Sequence, residues 1–208
     1  MSITAEAQTM FANQNMLDAV GEGLPTTFDE LLSTGKKLKS GDVAGVAMRS
    51  KADGTAGSWP GGGFVFSNGG VIIQDGKCML DSPQAIEAIH YYGTILKEAG
   101  PLGVGNYHWY ECLNDYMQEV VGIGMDSSNF ATDIENPEKS NAAGHTTYGA
   151  MVSGPGKQAK PNMWHWMAGI NSKSQQKAAA FLFLTWANSK PTCLMSSALG
   201  LATTRTSA

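Results

Sequence analysis

The side chains best suited to holding a ligand are aromatics set beside small and polar residues. Trp59 lies in the glycine-rich stretch Ser58-Trp59-Pro60-Gly61-Gly62-Gly63-Phe64, read as a loop, and Phe130 follows a polar turn, Asp126-Ser127-Ser128-Asn129. Trp164, His165 and Trp166 alternate along one predicted strand. This mixture suits a polyhydroxylated ligand: flat rings stack on apolar C–H faces while Asp, Asn and His take hydroxyls. Alternation sends Trp164 and Trp166 to one face of their strand and His165 to the other, giving one core face and one ligand wall. Trp59, flanked by glycines, fits either core or ligand. Trp109 and Trp186 lie on apolar helical stripes and read as core.

Catalytic and cofactor patterns are thin. Gly154-Pro155-Gly156-Lys157-Gln158-Ala159 matches a dinucleotide fingerprint as bare letters, but Lys160-Pro161-Asn162 follows, so no helix opens to hold a pyrophosphate, and a surface turn is expected. His90, His108, His145 and His165 form no HExxH or HxH pairing, and no GxSxG elbow is present. No metal or cofactor is expected. Asp133, Glu135 and Glu138 read as a solvated acidic loop. Asp126 with Glu111 is the one carboxylate pair that a carbohydrate hydrolase could use, an alternative to binding without chemistry. Cys78, Cys112 and Cys193 are far apart with no CxxC pair, and Cys112 falls at an apolar helical position as a buried thiol.

Composition bounds the class. The 208 residues carry a formal net charge of −4, 42% hydrophobic and 15% charged residues, a soluble globular pattern without the basic footprint nucleic acid requires. No apolar run approaches the ~20 residues of a membrane-spanning helix. The start, Met1-Ser2-Ile3-Thr4-Ala5-Glu6, has neither basic start nor apolar core of a signal peptide.

Helical periodicity alternates with short apolar runs, the α/β pattern. Thr27-Phe28-Asp29-Glu30 is a capping box opening a helix, with a strand over Gly45-Val46-Ala47-Met48 behind it. Val71-Ile72-Ile73 precedes a hairpin-type Asp75-Gly76 turn. Ser82-Pro83 opens a second helix with Ile86, Ile89, Gly93 and Leu96 on its apolar face. Trp109, Cys112, Leu113, Tyr116, Met117 and Val120 form a stripe on a third. Strands follow at Val121 to Met125, around Tyr148 to Met151, and at Trp164 to Ile170. Ser172-Lys173-Ser174-Gln175 is a second capping box, opening a helix apolar nearly all round from Ala178 to Trp186, which predicts burial on most sides.

In this order the segments resemble extracellular solute-binding proteins of family 1, the maltose-binding-protein-like sugar-binding group of ABC importers. Phe11-Ala12-Asn13-Gln14-Asn15-Met16-Leu17, Leu24-Pro25-Thr26-Thr27-Phe28-Asp29-Glu30-Leu31 and Asn68-Gly69-Gly70 with Leu80 to Ala85 are each similar to family elements. So are Val121-Gly122-Ile123-Gly124-Met125, the Ile170-Asn171-Ser172-Lys173 helix start, and Gly200 to Arg205, the last without the family's proline. The resemblance implies a periplasmic-binding-protein-like α/β lobe with a short-stranded mixed sheet flanked by helices. It implies that residues 1–208 are a single domain, the second lobe of a two-lobed protein, with the first lobe and the terminal helices absent. It implies non-covalent binding of a sugar, oligosaccharide or sugar alcohol, an inner-membrane permease as partner, a periplasmic parent, and no enzyme activity. The ligand contacts it implies are Trp59, Asp126, Ser127, Phe130, Trp164, His165 and Trp166. An uncovered apolar face would favour self-association of the isolated lobe.

Overall fold

A computed structural model describes residues 1–199 and resolves into two compact units, residues 8–162 and residues 1–7 together with the stretch from Met163 onward. One strand the sequence reading passed over, β1 (Ser2–Asn13), supplies residues to both. Small and polar side chains fill its first half, so no apolar run announces it.

The larger unit is built on a mixed sheet. The second half of β1 pairs antiparallel with β5 (Val121–Ser127), Gln8 opposite Ser127 and Ala12 opposite Ile123. On β1's other side lies β6 (Thr146–Gly149), also antiparallel, while β2 (Ala44–Ala47) runs parallel to β5. Alternation along β1 divides the core. Met10 and Ala12 join a cluster with Phe28, Val46, Phe64, Ile95, Ile123 and Met125, whereas Phe11 turns to Leu113, Tyr116, Ile134 and Ala142. The first cluster is covered by α2 (Phe28–Leu38), α3 (Gly62–Ser67) and α4 (Pro83–Ala99), with Phe28 and Phe64 stacked at 4.7 Å. The second lies under α5 (Trp109–Met117) and α6 (Ala131–Ile134). A short α1 (Gln14–Ala19) follows β1, capped by Asn13.

Local signals hold where they are strong. Thr27 accepts from Glu30 N at 3.2 Å while the Glu30 carboxylate accepts from Thr27 N, the expected capping box. The carboxyl lies below its usual range, chiefly through the Thr26 backbone N–H. Ser82 accepts from Ala85 N at the head of α4. Asp75 and Gly76, both at positive φ, turn β3 (Ile73–Gln74) into β4 (Lys77–Cys78). Cys112 is buried, and desolvation pushes its thiol well above the ordinary range.

In the larger unit four expectations are corrected. The glycine-rich stretch is helical: a single π-helical turn, Gly57–Gly61, runs into α3. A side chain at Gly63 would collide with Gln8 on β1, so its glycine serves close approach rather than flexibility. On α4, Ile86 and Ile89 face solvent, while Ala85, Ala88, Ile95, Leu96 and Ala99 are buried; where the helix comes closest to α2 the buried side chain is Ala99, set against Gly35. On α5, Trp109 is 39% exposed rather than core, and the helix ends at Met117 before Val120. Asp126 and Ser127 belong to β5 and are buried, not part of a solvated turn.

In the smaller unit the first half of β1 pairs antiparallel with β7 (Met163–Met167), Glu6 opposite Trp164 and Thr4 opposite Trp166. After it come α7 (Lys177–Ala187) and α8 (Lys190–Ala198). The second capping box does not form; Ser174 instead accepts from Gln176 N and α7 starts at Lys177. Nor is α7 buried: Phe181, Leu182, Phe183 and Trp186 are all more than half exposed. The described residues of this unit supply no layer to cover it. The Gly200–Arg205 element lies outside the described residues.

In the larger unit, β2 and α2 touch backbone to backbone, a side chain at Gly45 meeting the Gly35 carbonyl. Gly45→Ala is therefore expected to cost about 1–3 kcal/mol, the range for overpacking, read as a lowered urea midpoint with unchanged m-value.

Candidate functional site

β2 and β5 run parallel and end in opposite charges. Ala47 stands opposite Gly124, so two residues further each strand delivers Arg49 and Asp126 side by side. The guanidinium grips the carboxylate with both arms, Nε to Oδ2 at 2.7 Å and Nη2 to Oδ1 at 2.6 Å. Asp126 is 1% exposed and Arg49 14%, so this is a charge pair taken out of water, where a two-pronged geometry and further hydrogen bonds must compensate desolvation. Those further bonds exist. Ser127 N donates to Oδ1 at 2.7 Å, and the Trp59 indole Nε1 donates to the same oxygen at 3.1 Å. The Arg49 guanidinium carbon also lies 5.8 Å from the centre of the Trp59 ring, a cation–π distance. The Tyr92 hydroxyl donates to the Arg49 carbonyl and fixes the strand end.

Trp59 is thus a pinned ring. The π-helical turn that carries it contains Pro60, which has no N–H to give. Side chains answer the carbonyls of that turn: Asn162 Nδ2 donates to Ser58 O at 2.7 Å and Trp59 O at 3.1 Å, and Gln8 Nε2 donates to Pro60 O. Single π-turns of this kind recur at functional sites.

Four of the residues expected at a site fall in this unit: Trp59, Asp126, Ser127 and Phe130. The first three are brought together at the ends of β2 and β5. Phe130, half-buried, packs against Phe11 at 6.4 Å and Trp109 at 5.8 Å. Trp164, His165 and Trp166 lie on β7 in the smaller unit. Trp164 and Trp166 share a face as alternation requires, 6.0 Å apart, with Trp166 Nε1 donating to Glu6, and His165 Nδ1 lies 3.3 Å from Ser2 Oγ.

Arg49, Tyr92 and Asn162 were missed. A signal for Arg49 was present: Gly45-Val46-Ala47-Met48 and Val121-Gly122-Ile123-Gly124-Met125 are apolar strands, each followed directly by one charge of opposite sign. The carboxylates considered for hydrolysis are committed elsewhere. Both Asp126 oxygens are bonded, and Glu111 Oε2 accepts from His108 N at the head of α5. Among the described residues no group of three His, Cys, Asp or Glu is placed to hold a metal, and no helix is long and apolar enough to cross a membrane.

A mixed sheet with helices on both faces and a polar–aromatic knot at its strand ends is the fold of the periplasmic binding proteins. An Agrobacterium vitis solute-binding protein solved with D-mannitol matches with TM-score 0.86 and 23% identity, over 99% of this chain and 52% of its own. The maltose-bound MalE3 of T. maritima matches with TM-score 0.88 and 20% identity, over 100% of this chain and 55% of its own. Residues 3–192 match the family model of the bacterial extracellular solute-binding proteins, and the chain belongs to that family. A curated relative, the erythritol/L-threitol-binding protein of Mycolicibacterium smegmatis, is 25% identical over 178 residues, 80% of this chain and 36% of that protein. The chain therefore spans about half the length of these solved relatives and little more than a third of the curated one.

Removing one member of the buried pair strands the other. Arg49→Met is expected to destabilise the chain by about 3–5 kcal/mol, and Arg49→Met with Asp126→Asn to recover much of that loss, since no buried charge then remains uncompensated. Urea unfolding of both single variants and the double variant, combined as a cycle, measures this.

Proposed function

We propose that this chain is the second lobe of the solute-binding component of an ABC importer, taking a polyol or sugar without chemistry and presenting it to an inner-membrane permease. The observation that carries this reading is Trp59, an indole fixed at the carboxyl ends of two parallel strands, the place where open α/β sheets bind ligands. A ring held by a hydrogen bond and a guanidinium has already lost its rotamer freedom, so a ligand that meets its small uncovered part does not have to order it. Trp59 is only 5% exposed and is proposed to border the ligand as a buried supporting ring, while Phe130, Trp164 and Trp166 are proposed as stacking rings, with Ser127 and His165 toward hydroxyls. Asp126 takes a different part from the one first expected. Its oxygens are bonded already, so it acts through Trp59 and Arg49 rather than as the chief acceptor for the ligand.

Relatives support the ligand class. The mycobacterial relative is named for erythritol and L-threitol, and an Agrobacterium radiobacter relative, 25% identical with TM-score 0.84, was solved with ribitol. The description of the matching family as extracellular supports a place outside the cytoplasmic membrane for the parent of this chain, and that location is proposed. Polypeptide beyond this lobe is proposed to cover the apolar surface of α7; without that cover the exposed Phe181, Leu182, Phe183 and Trp186 favour self-association.

Titration calorimetry with erythritol, ribitol, mannitol and maltose tests the reading on this chain alone and within its full parent protein. The parent is expected to bind one of them in the micromolar range, the lone chain far more weakly, and Trp59→Ala in the parent to lose at least tenfold. No binding by the parent, or turnover of a chromogenic glycoside, rejects the proposal. Light scattering of the lone chain is expected to show concentration-dependent oligomers, and a strict monomer at high concentration rejects self-association.

A further inference from the structure

Gln8 and Asn162 stand 154 positions apart, the first and last residues of the larger unit, and both close on the turn that carries Trp59. Their backbones meet, Gln8 N donating to Asn162 O at 2.9 Å. From there the two side-chain amides reach the turn. Asn162 Nδ2 donates to Ser58 O at 2.7 Å and to Trp59 O at 3.1 Å, and Gln8 Nε2 lies 3.5 Å from Pro60 O. Only the nitrogen of an amide can donate to two carbonyls, which fixes the orientation of Asn162. Gly62 and Gly63 leave room for the clasp. A Cβ at Gly62 would lie 3.1 Å from Asn162 Nδ2, and one at Gly63 would collide with Gln8 Oε1.

A turn of this kind needs outside support. π-Turns are rare beside the α-helix, and Pro60 lacks the N–H that would answer Thr55 O in the π pattern. Ser58 Oγ meets that carbonyl instead, at 3.5 Å. The competing arrangement is the ordinary α-helix, in which each residue advances by about 100° around the axis. A slip of one residue would swing the indole away from Asp126 Oδ1, which it meets at 3.1 Å. Trp59 O already accepts from Gly62 N, so Asn162 is not required merely to satisfy it. What the amide adds is a tie across two adjacent peptide groups, one of them Trp59's own.

We infer that Asn162, seated on Gln8, is a positioning residue of the ligand site, its two donors locking the rotational phase of the turn and so the place of the Trp59 indole. This role rests on the proposed binding role of Trp59. It also ties the forming of the site to completion of the unit, since the turn is held only once residues 8 and 162 have met.

Asn162→Asp keeps the outline of the side chain and removes both donors, whereas Asn162→Ala removes the outline as well. Two-dimensional NMR of the full parent protein follows the Trp59 indole N–H, identified by its loss in Trp59→Phe. In both variants that signal is expected to move and its proton to exchange faster with solvent, while the Trp109 indole, identified in the same way, stays in place. Calorimetry is expected to show whichever of the polyols and sugars above the parent binds held about two- to tenfold more weakly, the worth of one hydrogen bond. A side chain that only fills space would leave Asn162→Asp like the unaltered protein, and that result overturns the positioning role. So does a moved Trp59 signal with unchanged affinity, or the collapse of every indole signal together, which marks a general loss of fold. These outcomes leave the binding role of Trp59 intact. Failure of the unaltered parent to bind any of the ligands overturns that binding role, and the positioning role with it, whatever the Trp59 signal does.

Discussion

The Arg49–Asp126 pair is the constraint on which the rest of the larger unit turns. Two charges brought out of water are tolerated only when their geometry is close to ideal and every remaining lone pair is answered. The ends of β2 and β5 meet that demand with the fork, the Ser127 amide and the Trp59 indole. What begins as an electrostatic requirement thereby becomes a positional one. The helix carrying Trp59 must approach closely enough to donate its indole N–H, and Gly63 leaves room for the Gln8 side chain of β1 against it. A purely apolar patch at the same place would be as stable but would leave the ring free to choose among rotamers.

Local rules are legible in the sequence because they are complete within a few residues. The Thr27–Glu30 box, the serine and proline at the head of α4 and the Asp75-Gly76 turn all form as read. Errors begin where a neighbour distant in the chain decides. Isoleucines outrank alanines on any hydropathy measure, yet α4 turns Ile86 and Ile89 to solvent and buries Ala85, Ala88 and Ala99 beside Ile95 and Leu96, because the face that meets α2 and β2 is fixed by the packing and not by the most apolar residues. Glycines signal a loop in isolation, and only the presence of Gln8 across the gap turns them into a helix that packs. The second capping box fails because the helix opens later than Ser172 would require: α7 begins at Lys177, and Ser174 accepts from Gln176 N in the turn before it.

The site was legible by residue type and less so by role. Trp59 and Asp126 were both picked out by residue type as ligand contacts, and the structure brings them together in a hydrogen bond. That Asp126 is an anchor emerges only with Arg49, 77 positions away in the chain. Trp109 shows the opposite failure. Its spacing with Cys112 and Tyr116 suggested a core stripe, and it does share their face, but at the first position of α5 it is left 39% exposed. Periodicity assigns a phase and cannot tell how far the neighbouring layer extends.

The bare apolar surface of α7 also bears on the life of the chain in a cell. Helix residues 178–186 read Ala-Ala-Ala-Phe-Leu-Phe-Leu-Thr-Trp, and four of their large side chains face water. An uncovered stretch of this kind is what holdase chaperones and quality-control proteases recognise as an unfinished fold. Under the proposed arrangement, in which further polypeptide covers that helix, the exposed stretch acts as a retention mark, and the speed with which the cover arrives sets the balance between maturation and disposal.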